Sequence, residues 1–371
     1  MSSNSPVVCL SFLFGVITGI GIIFSLRYKR SNENRKENLL DLIGKTPLVL
    51  IPSLSKETGC NVYAKCEFLN PCGSSKDRIA KEILLDAFKR KVLKPGDTVV
   101  EASSGSTGIS LTRIAKSLGC SSLIVVPDDQ SKEKINLLKT LGAQVELVKP
   151  ASIVHPEHNV NVAKRRANEI PGGFFVDQFE NPLNITAHLK TGEEIWEQTN
   201  GKIHAFVASA GTSGTIGGVA KYLKSKSPSI QIILADPQGS SLFNAIKHGI
   251  LYAPEQSERT LRRHRVDTIV EGVGLDRMTE NFKVTRSYID DALKISDQEV
   301  VDYSRKLLLN DGYFVGSSSA LNCAAAFQVA KKLGPGHTIV TVFCSSGDRE
   351  TTKLYSSEYL ETRHLDSHLQ T

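Results

Sequence analysis

Asn70-Pro71-Cys72-Gly73-Ser74-Ser75-Lys76-Asp77-Arg78 is the stretch around which the chain is organised. A turn, Asn-Pro and then Gly, runs into hydroxyl side chains and on into an amphipathic segment, Ile79–Arg90. Ser74 or Ser75 can cap a helix there, because a side-chain oxygen accepts a backbone N–H that the helix start leaves unpaired. Lys76 then falls in the first turn, where the partial positive charge of the helix end disfavours an ammonium. Such a lysine is either a solvated surface residue or one required as an amine, and the stretch alone leaves both readings open.

Outward from this stretch the pattern is regular. Val62–Cys66 reads as a strand leading into it. Strands then alternate with helices: Thr98–Glu101 and Thr107–Leu118, Ser122–Val126 and Lys132–Leu141, Gln144–Val148 and Val160–Glu169, Phe174–Asp177 and Leu183–Gln198. A second run follows with Ala205–Ser209 and Thr215–Lys226, then Ile230–Ala235 and Leu242–His248. Glu299–Leu309, Ser318–Lys332 and the strand Thr338–Phe343 close it. Alternation over this length predicts parallel α/β sheets covered on both faces. Ala253–Asp267 reads as a surface loop, and the chain beyond Lys353 as a short polar tail with no room for a regulatory domain.

The 371 residues are 40% hydrophobic and 23% charged, as expected of a globular chain with a sizeable core. Of the net charge of +6, half sits in one place. Arg27, Lys29, Arg30, Arg35 and Lys36 face only Glu33 and Glu37, and the remainder carries no nucleic-acid signature. These basic residues come directly after Val7–Leu26, twenty residues without a charge. As a helix that segment spans roughly 30 Å, the thickness of a bilayer core. No basic residue precedes it, so it lacks the start of a secretory signal, and it reads as an uncleaved signal anchor. The basic flank places the remainder of the chain in the cytosol. The mitochondrial outer membrane and the endoplasmic reticulum both suit such an anchor. Seven scattered cysteines without a CxxC pair give no zinc or thiol-redox signature and predict free thiols.

Two further stretches can bind anions. Glu101-Ala102-Ser103-Ser104-Gly105-Ser106-Thr107-Gly108 joins a strand to a helix, and hydroxyls and glycines at a helix N-terminus expose backbone N–H groups to an anion. Ala210-Gly211-Thr212-Ser213-Gly214-Thr215 does the same, without the Gly-Lys-Ser/Thr ending of a P-loop or the spacing of a dinucleotide fingerprint. Taken alone, each is also an ordinary strand-to-helix turn.

Together, these stretches resemble the cysteine synthase/cystathionine β-synthase family of pyridoxal-phosphate enzymes. The family's Asn-Pro-x-x-Ser-x-Lys-Asp-Arg motif matches at Asn70–Arg78, and its Ile-Gly-x-Thr-Pro-Leu opening at Ile43–Leu48. Its Gln-Phe-x-Asn-Pro-x-Asn…His block matches at Gln178–His188, and its Glu-Gly-Ile-Gly loop at Glu271–Gly274. Cys344-Ser345-Ser346-Gly347-Asp348-Arg349 resembles its final Ser-Ser-Gly-Glu-Arg. The resemblance implies a tryptophan-synthase-β-like α/β fold (fold type II) of two parallel-sheet subdomains, here preceded by one transmembrane helix. The expected organisation is an anchor and basic linker at 1–38 (membrane segment 7–26), a catalytic domain at 39–355 with a smaller mobile subdomain at about 80–185, and a tail at 356–371.

The resemblance further implies that Lys76 carries pyridoxal 5'-phosphate as a Schiff base and serves as the base for the substrate α-proton. Gly211, Thr212, Ser213, Gly214 and Thr215 would hold the cofactor phosphate. Ser345 would meet the pyridine nitrogen, and a neutral hydroxyl there suits β-elimination. Ser103, Ser104, Gly105, Thr107 and Gln178 would hold the substrate α-carboxylate. The chain departs from the family where Ser103 replaces Thr and where Ser106 replaces an Asn that donates toward the cofactor ring oxygen. The Ser-Ser-Gly-Ser-Thr-Gly variant resembles that of a fungal, membrane-anchored subgroup. The implied reaction is β-replacement on O-acetylserine by sulfide in a homodimer. Cysteine desulfhydration, the cystathionine β-synthase reaction and a tethered binding role are the alternatives. No metal site is expected.

Overall fold

The computed structural model describes residues 36–103, 105–130, 132–253 and 268–366. The expected anchor at 7–26, Ser104 and nearly all of the Ala253–Asp267 loop lie outside them. Among the described residues no helix is long and apolar enough to cross a membrane. The chain divides into a segment up to Leu42, bearing the short turn Leu39–Leu42, and a body from Ile43 onward.

The body holds two sheets. Strands β1 (Leu48–Leu50), β2 (Asn61–Cys66), β3 (Thr98–Ala102), β4 (Ser121–Pro127) and β5 (Gln144–Val148) come first, then β6 (Gly173–Phe175), β7 (Ala205–Ser209), β8 (Gln231–Pro237), β9 (Asp291–Ile295) and β10 (Thr338–Phe343). One sheet has the order β5-β4-β3-β6 and is parallel throughout; all its strands lie within the span 80–185. The other runs β1-β2-β10-β7-β8-β9 and is parallel except at its edge. There β1 pairs antiparallel with β2, so the larger sheet is mixed rather than wholly parallel. Strands β7 and β10 are buried along their whole length, which is why Phe206-Val207-Ala208 and Ile339-Val340 read as unbroken apolar runs.

Several elements differ from the sequence reading, each for a local reason. The lysine helix spans Lys76–Lys89, so Lys76 opens its first turn as expected, ahead of the amphipathic stretch at Ile79; Asp77 and Arg78 in that turn are buried and paired rather than solvated. Of the two serines expected to cap it, Ser75 holds the N-cap position but its side chain makes no capping hydrogen bond; the Ser74 hydroxyl accepts the Lys76 N–H at 3.2 Å instead. Strand β6 stops at Phe175, short of Asp177, whose φ of 57° leaves extended geometry. The polar tail contains the helix Ser357–Thr362, capped by Ser356, with Leu360 fully buried in the core of the larger sheet.

A buried ionic network fixes the start of the lysine-bearing helix. Arg78 meets Glu67 at 2.7 Å and Glu194 at 2.8 Å, and Lys65 meets Glu194 at 2.6 Å. Lys65 also donates to the Thr46 carbonyl at 2.6 Å, and Thr46 Oγ1 donates to Glu67 at 2.7 Å. Burial alone would raise both carboxyl groups. Arg78 outweighs it at Glu67, which lies below the usual range, and Arg78 with Lys65 holds Glu194 at about 2.

Because the Glu194 pKa falls on folding, its contribution is present above its ordinary value of 4.5 and is lost as pH falls toward about 2. That contribution is about 3 kcal/mol. Glu194→Gln therefore flattens the acid limb of stability across that window in denaturant melts, and an unchanged limb would contradict the pairing. Arg78→Met, which strands Glu67 without a cation, costs about 3–5 kcal/mol in the same melts.

Candidate active site

The described site residues gather at the carboxyl ends of parallel strands, where open α/β sheets bind ligands. Ser103 to Thr107 follow β3, Gln178 follows β6, Gly211 to Thr215 follow β7 and Ser345 follows β10. Ser103, Gly105, Ser106, Thr107, Gln178, Gly211, Thr212 and Ser345 line one cleft of roughly 1520 Å³ together with Lys76, while Ser213 and Thr215 line a small recess beside it. Two backbone links register the lysine motif against β10: Ser74 bridges Ser345, and the Ser75 N–H donates to the Cys344 carbonyl at 3.2 Å. Asp77, the next residue along, accepts from the Ser110 hydroxyl at 2.5 Å and the Cys72 N–H at 2.6 Å. The lysine helix is thereby tied to the helix Ser106–Ser117 on the far side of the cleft.

Burial pushes the Lys76 amine below its ordinary range, against the opposing influence of Cys344 and Glu67. A buried amine with a depressed pKa is suited to imine formation and to taking up a proton. Ser75 Oγ lies 3.4 Å from Lys76 Nζ.

One end of the cleft is an anion cup. The helix Gly214–Lys226 starts there, with Ser213 at its N-cap in the left-handed region (φ 66°). Ser209 Oγ and Ser213 Oγ are buried and have no hydrogen-bond partner. Both line a small recess with Lys76, Gly211, Thr212, Thr215 and Cys344. The backbone is packed too closely for side chains at its glycines. A Cβ on Gly211 would lie 2.1 Å from the Gly272 carbonyl, and one on Gly214 would lie 1.7 Å from Asn184 Oδ1. Thr215 Oγ1 sits 3.2 Å from His188 Nε2, and burial drives the His188 pKa down to about 3, so this imidazole is neutral. Orphaned hydroxyls at a helix N-terminus with close backbone approach are the donor set of a phosphate dianion.

The opposite wall is the Ser103–Thr107 turn. Ser103 Oγ accepts from the Gly108 N–H at 3.1 Å and the Gly105 N–H at 3.3 Å, which pins the loop and leaves its O–H as a donor. Thr107 Oγ1 donates to Gln178 Oε1 at 2.7 Å, while Gln178 Nε2 donates to the Ala102 carbonyl at 3.1 Å. Gln178 is thus locked beside the turn, its side chain also in hydrogen bond with Glu101. Ser106 opens the helix and faces the cleft, in hydrogen bond with Arg349 at 3.3 Å. Glu271, from the loop after β8, is gripped across the cleft by Lys134 at 2.6 Å and by Lys353 at 2.8 Å.

Sequence reasoning missed Ser209 and gave no roles to Cys344, Arg349 or Lys134. Ser209 is simply the last residue of an apolar strand, and nothing in its spacing marks it. Cys72 is buried. Among the described residues no His/Cys/Asp/Glu cluster could hold a metal ion, and all six described cysteines are free.

A buried lysine between two helix starts at the carboxyl ends of parallel strands from two sheets is the frame of a cofactor enzyme. The chain belongs to the pyridoxal-phosphate dependent enzyme family, whose pattern it matches over residues 39–345. "Cysteine synthase 2" of Schizosaccharomyces pombe is 50% identical over 355 residues, covering 92% of this chain and 90% of that protein. A Saccharomyces cerevisiae protein named as a mitochondrial cysteine synthase is 46% identical over 362 residues, covering 94% of this chain and 91% of its own. The crystal structure of O-ureido-L-serine synthase superposes with a TM-score of 0.76 at 28% identity, covering 88% of this chain and 99% of that one. The fold is therefore type II of the pyridoxal-phosphate enzymes, and pyridoxal phosphate is the cofactor. The unpartnered Ser209 and Ser213 hydroxyls and the glycine cradle fit its phosphate.

Gly214→Ala tests the cup, since its methyl would displace Asn184. The expected result is a protein that folds but loses the visible absorbance of bound pyridoxal phosphate. Its melting temperature no longer rises on adding the cofactor, as that of the parent does. Full retention of the cofactor would place the phosphate elsewhere.

Proposed function

We propose that this enzyme makes L-cysteine from O-acetyl-L-serine and sulfide. The observation that carries the reading is the depressed Lys76 amine, set between an anion cup at Gly211–Thr215 and a second anion turn at Ser103–Thr107. The cup takes the cofactor phosphate, and the turn, with Ser103, Ser104, Gly105, Thr107 and Gln178, takes the substrate α-carboxylate. The curated relatives named as cysteine synthases, at 44–50% identity, support the choice of substrates.

The residues divide the work by position. Thr107 and the locked Gln178 orient the α-carboxylate, which turns the Cα–H toward Lys76. Lys76 holds the cofactor before substrate arrives, then takes the α-proton as its neutral amine. Bound pyridoxal phosphate supplies the electron sink for the charge left at Cα. Acetate departs from Cβ with its bonding pair, hydrosulfide adds at the same carbon, and Lys76 returns the proton to Cα. Ser345, a neutral hydroxyl for the pyridine nitrogen, keeps that sink mild. The ionic clasp of Glu271 by Lys134 and Lys353 closes the cleft mouth against water.

The wider setting accords with the same reading. The uncharged segment 7–26 and its basic flank tether the enzyme to a membrane with the catalytic body in the cytosol. The mitochondrial outer membrane is preferred, in keeping with the name of the yeast relative. The span at about 80–185 forms the mobile subdomain, and two copies pair as a homodimer, as the family resemblance implies.

Lys76→Ala is the deciding variant. With pyridoxal phosphate, O-acetylserine and sulfide, the parent releases cysteine and acetate in equal amounts, and the variant is slower by about 10⁴-fold or more. Cysteine formation that survives the substitution would exclude the role of Lys76. A parent that binds the cofactor but turns over only with a larger thiol, such as homocysteine, would move the assignment to the cystathionine β-synthase reaction.

A further inference from the structure

Ser106 stands where an asparagine amide would reach toward the cofactor ring, and a serine side chain is one donor shorter. The geometry points to Arg349 as a positioning residue that makes up this deficit, polarising the Ser106 hydroxyl so that it donates to the anionic oxygen of the pyridoxal phosphate ring. The inference rests on the reading of Ser106 as cofactor-facing.

Three observations carry it. Arg349 Nη1 donates to Ser106 Oγ at 3.3 Å, in a cleft lined by both residues together with Lys76 and Ser345. A hydroxyl offers one hydrogen and two lone pairs, so a serine that accepts from a guanidinium keeps its own proton for a second partner. Accepting from a charged donor also makes that proton a stronger donor, because hydrogen bonds in a chain polarise one another.

The guanidinium is also held in place for this contact. Its Nη2 donates to the Cys72 carbonyl, and the Asp77 carboxylate lies close enough to favour its charge. Space for it is cut into the lysine motif itself. Gly73 has φ of 82°, and a Cβ there would come within 2.8 Å of Arg349 Nη2. The fold therefore keeps a half-buried cation at the Ser106 side chain although burial opposes that charge. One amide donor is replaced by a two-bond chain, Arg349 to Ser106 to the ring oxygen.

The test uses the full chain loaded with pyridoxal phosphate, and reads the position of the visible absorption band and the dissociation constant for the cofactor. Arg349→Gln is expected to move the band in the same direction as Ser106→Ala. It should also weaken cofactor binding about tenfold, the scale of one charge-assisted hydrogen bond. The double variant should match Ser106→Ala alone, because both act through one hydroxyl. In a Ser106→Asn background, Arg349→Gln should leave the band where Ser106→Asn puts it, since the amide donates unaided. A merely structural role for Arg349 would move the band in that background too. Arg349→Lys, which keeps the cation without its two-pronged reach, gives an intermediate shift and serves the same comparison if Arg349→Gln does not fold. Additive effects of the two single changes would overturn the relay, as would a band that answers to Ser106→Ala but not to Arg349→Gln. A band indifferent to Ser106→Ala would instead overturn the placement of Ser106 beside the cofactor.

Discussion

Arg78, wedged between Glu67 and Glu194 with almost no access to water, is the contact on which the rest of the structure depends. An arginine in that position cannot lose its charge, so its two carboxylate partners must stay ionised and in place. Glu67 follows β2, Glu194 belongs to the helix Leu183–Gln198, and Arg78 lies in the first turn of the helix that carries Lys76. One guanidinium thus ties the lysine helix to the carboxyl end of β2 in the larger sheet and to the helix Leu183–Gln198. Two residues earlier in the chain, Lys76 inherits that fixed position.

The chemistry of the cleft is set by the surroundings of this anchored lysine. Asp77 binds Ser110, so the same turn that is tied to the larger sheet also grips the helix that follows β3. Two helix N-termini then point at the cleft from opposite walls, each supplying donors to an anion. Under the proposed function, a molecule with a phosphate at one end and a carboxylate at the other would be held with its reactive carbon near Lys76. Glu271 spans the mouth between Lys134 and Lys353, and both lysines pull its carboxyl below the usual range against the effect of burial. The nearby Glu350 is raised to about 7 by burial and by Glu271, and accepts from the Ser317 N–H.

Much of this was legible in the sequence because backbone geometry and residue type coincide there. Strand–helix alternation announced both sheets, and the hydroxyl- and glycine-rich turns announced the two helix starts that face the cleft. What escaped reading did so for physical reasons. The burial of Asp77 and Arg78 in the first turn of the lysine helix depends on partners that lie far away in sequence, Ser110 and Glu194. Strands β1 and β9 are short edge strands with too few residues to show a period. The helix Glu280–Thr285 spans six residues, less than two turns. Ser209 became a site residue only through the recess around it, and Arg349 only through the hole left by Gly73. Such roles are products of packing between distant segments, which no local pattern records.

The most direct test of the account asks which amine holds the cofactor. The cleft also contains Lys134, Lys149 and Lys353, and the fully buried Lys65 lies nearby in the anchoring network. Borohydride reduction of the pyridoxal-phosphate-loaded protein, followed by peptide mass mapping, fixes the label covalently at the amine that carried it. The account predicts one phosphopyridoxyl group per chain, on the peptide containing Lys76. A label on any other lysine, or none at all, would contradict it.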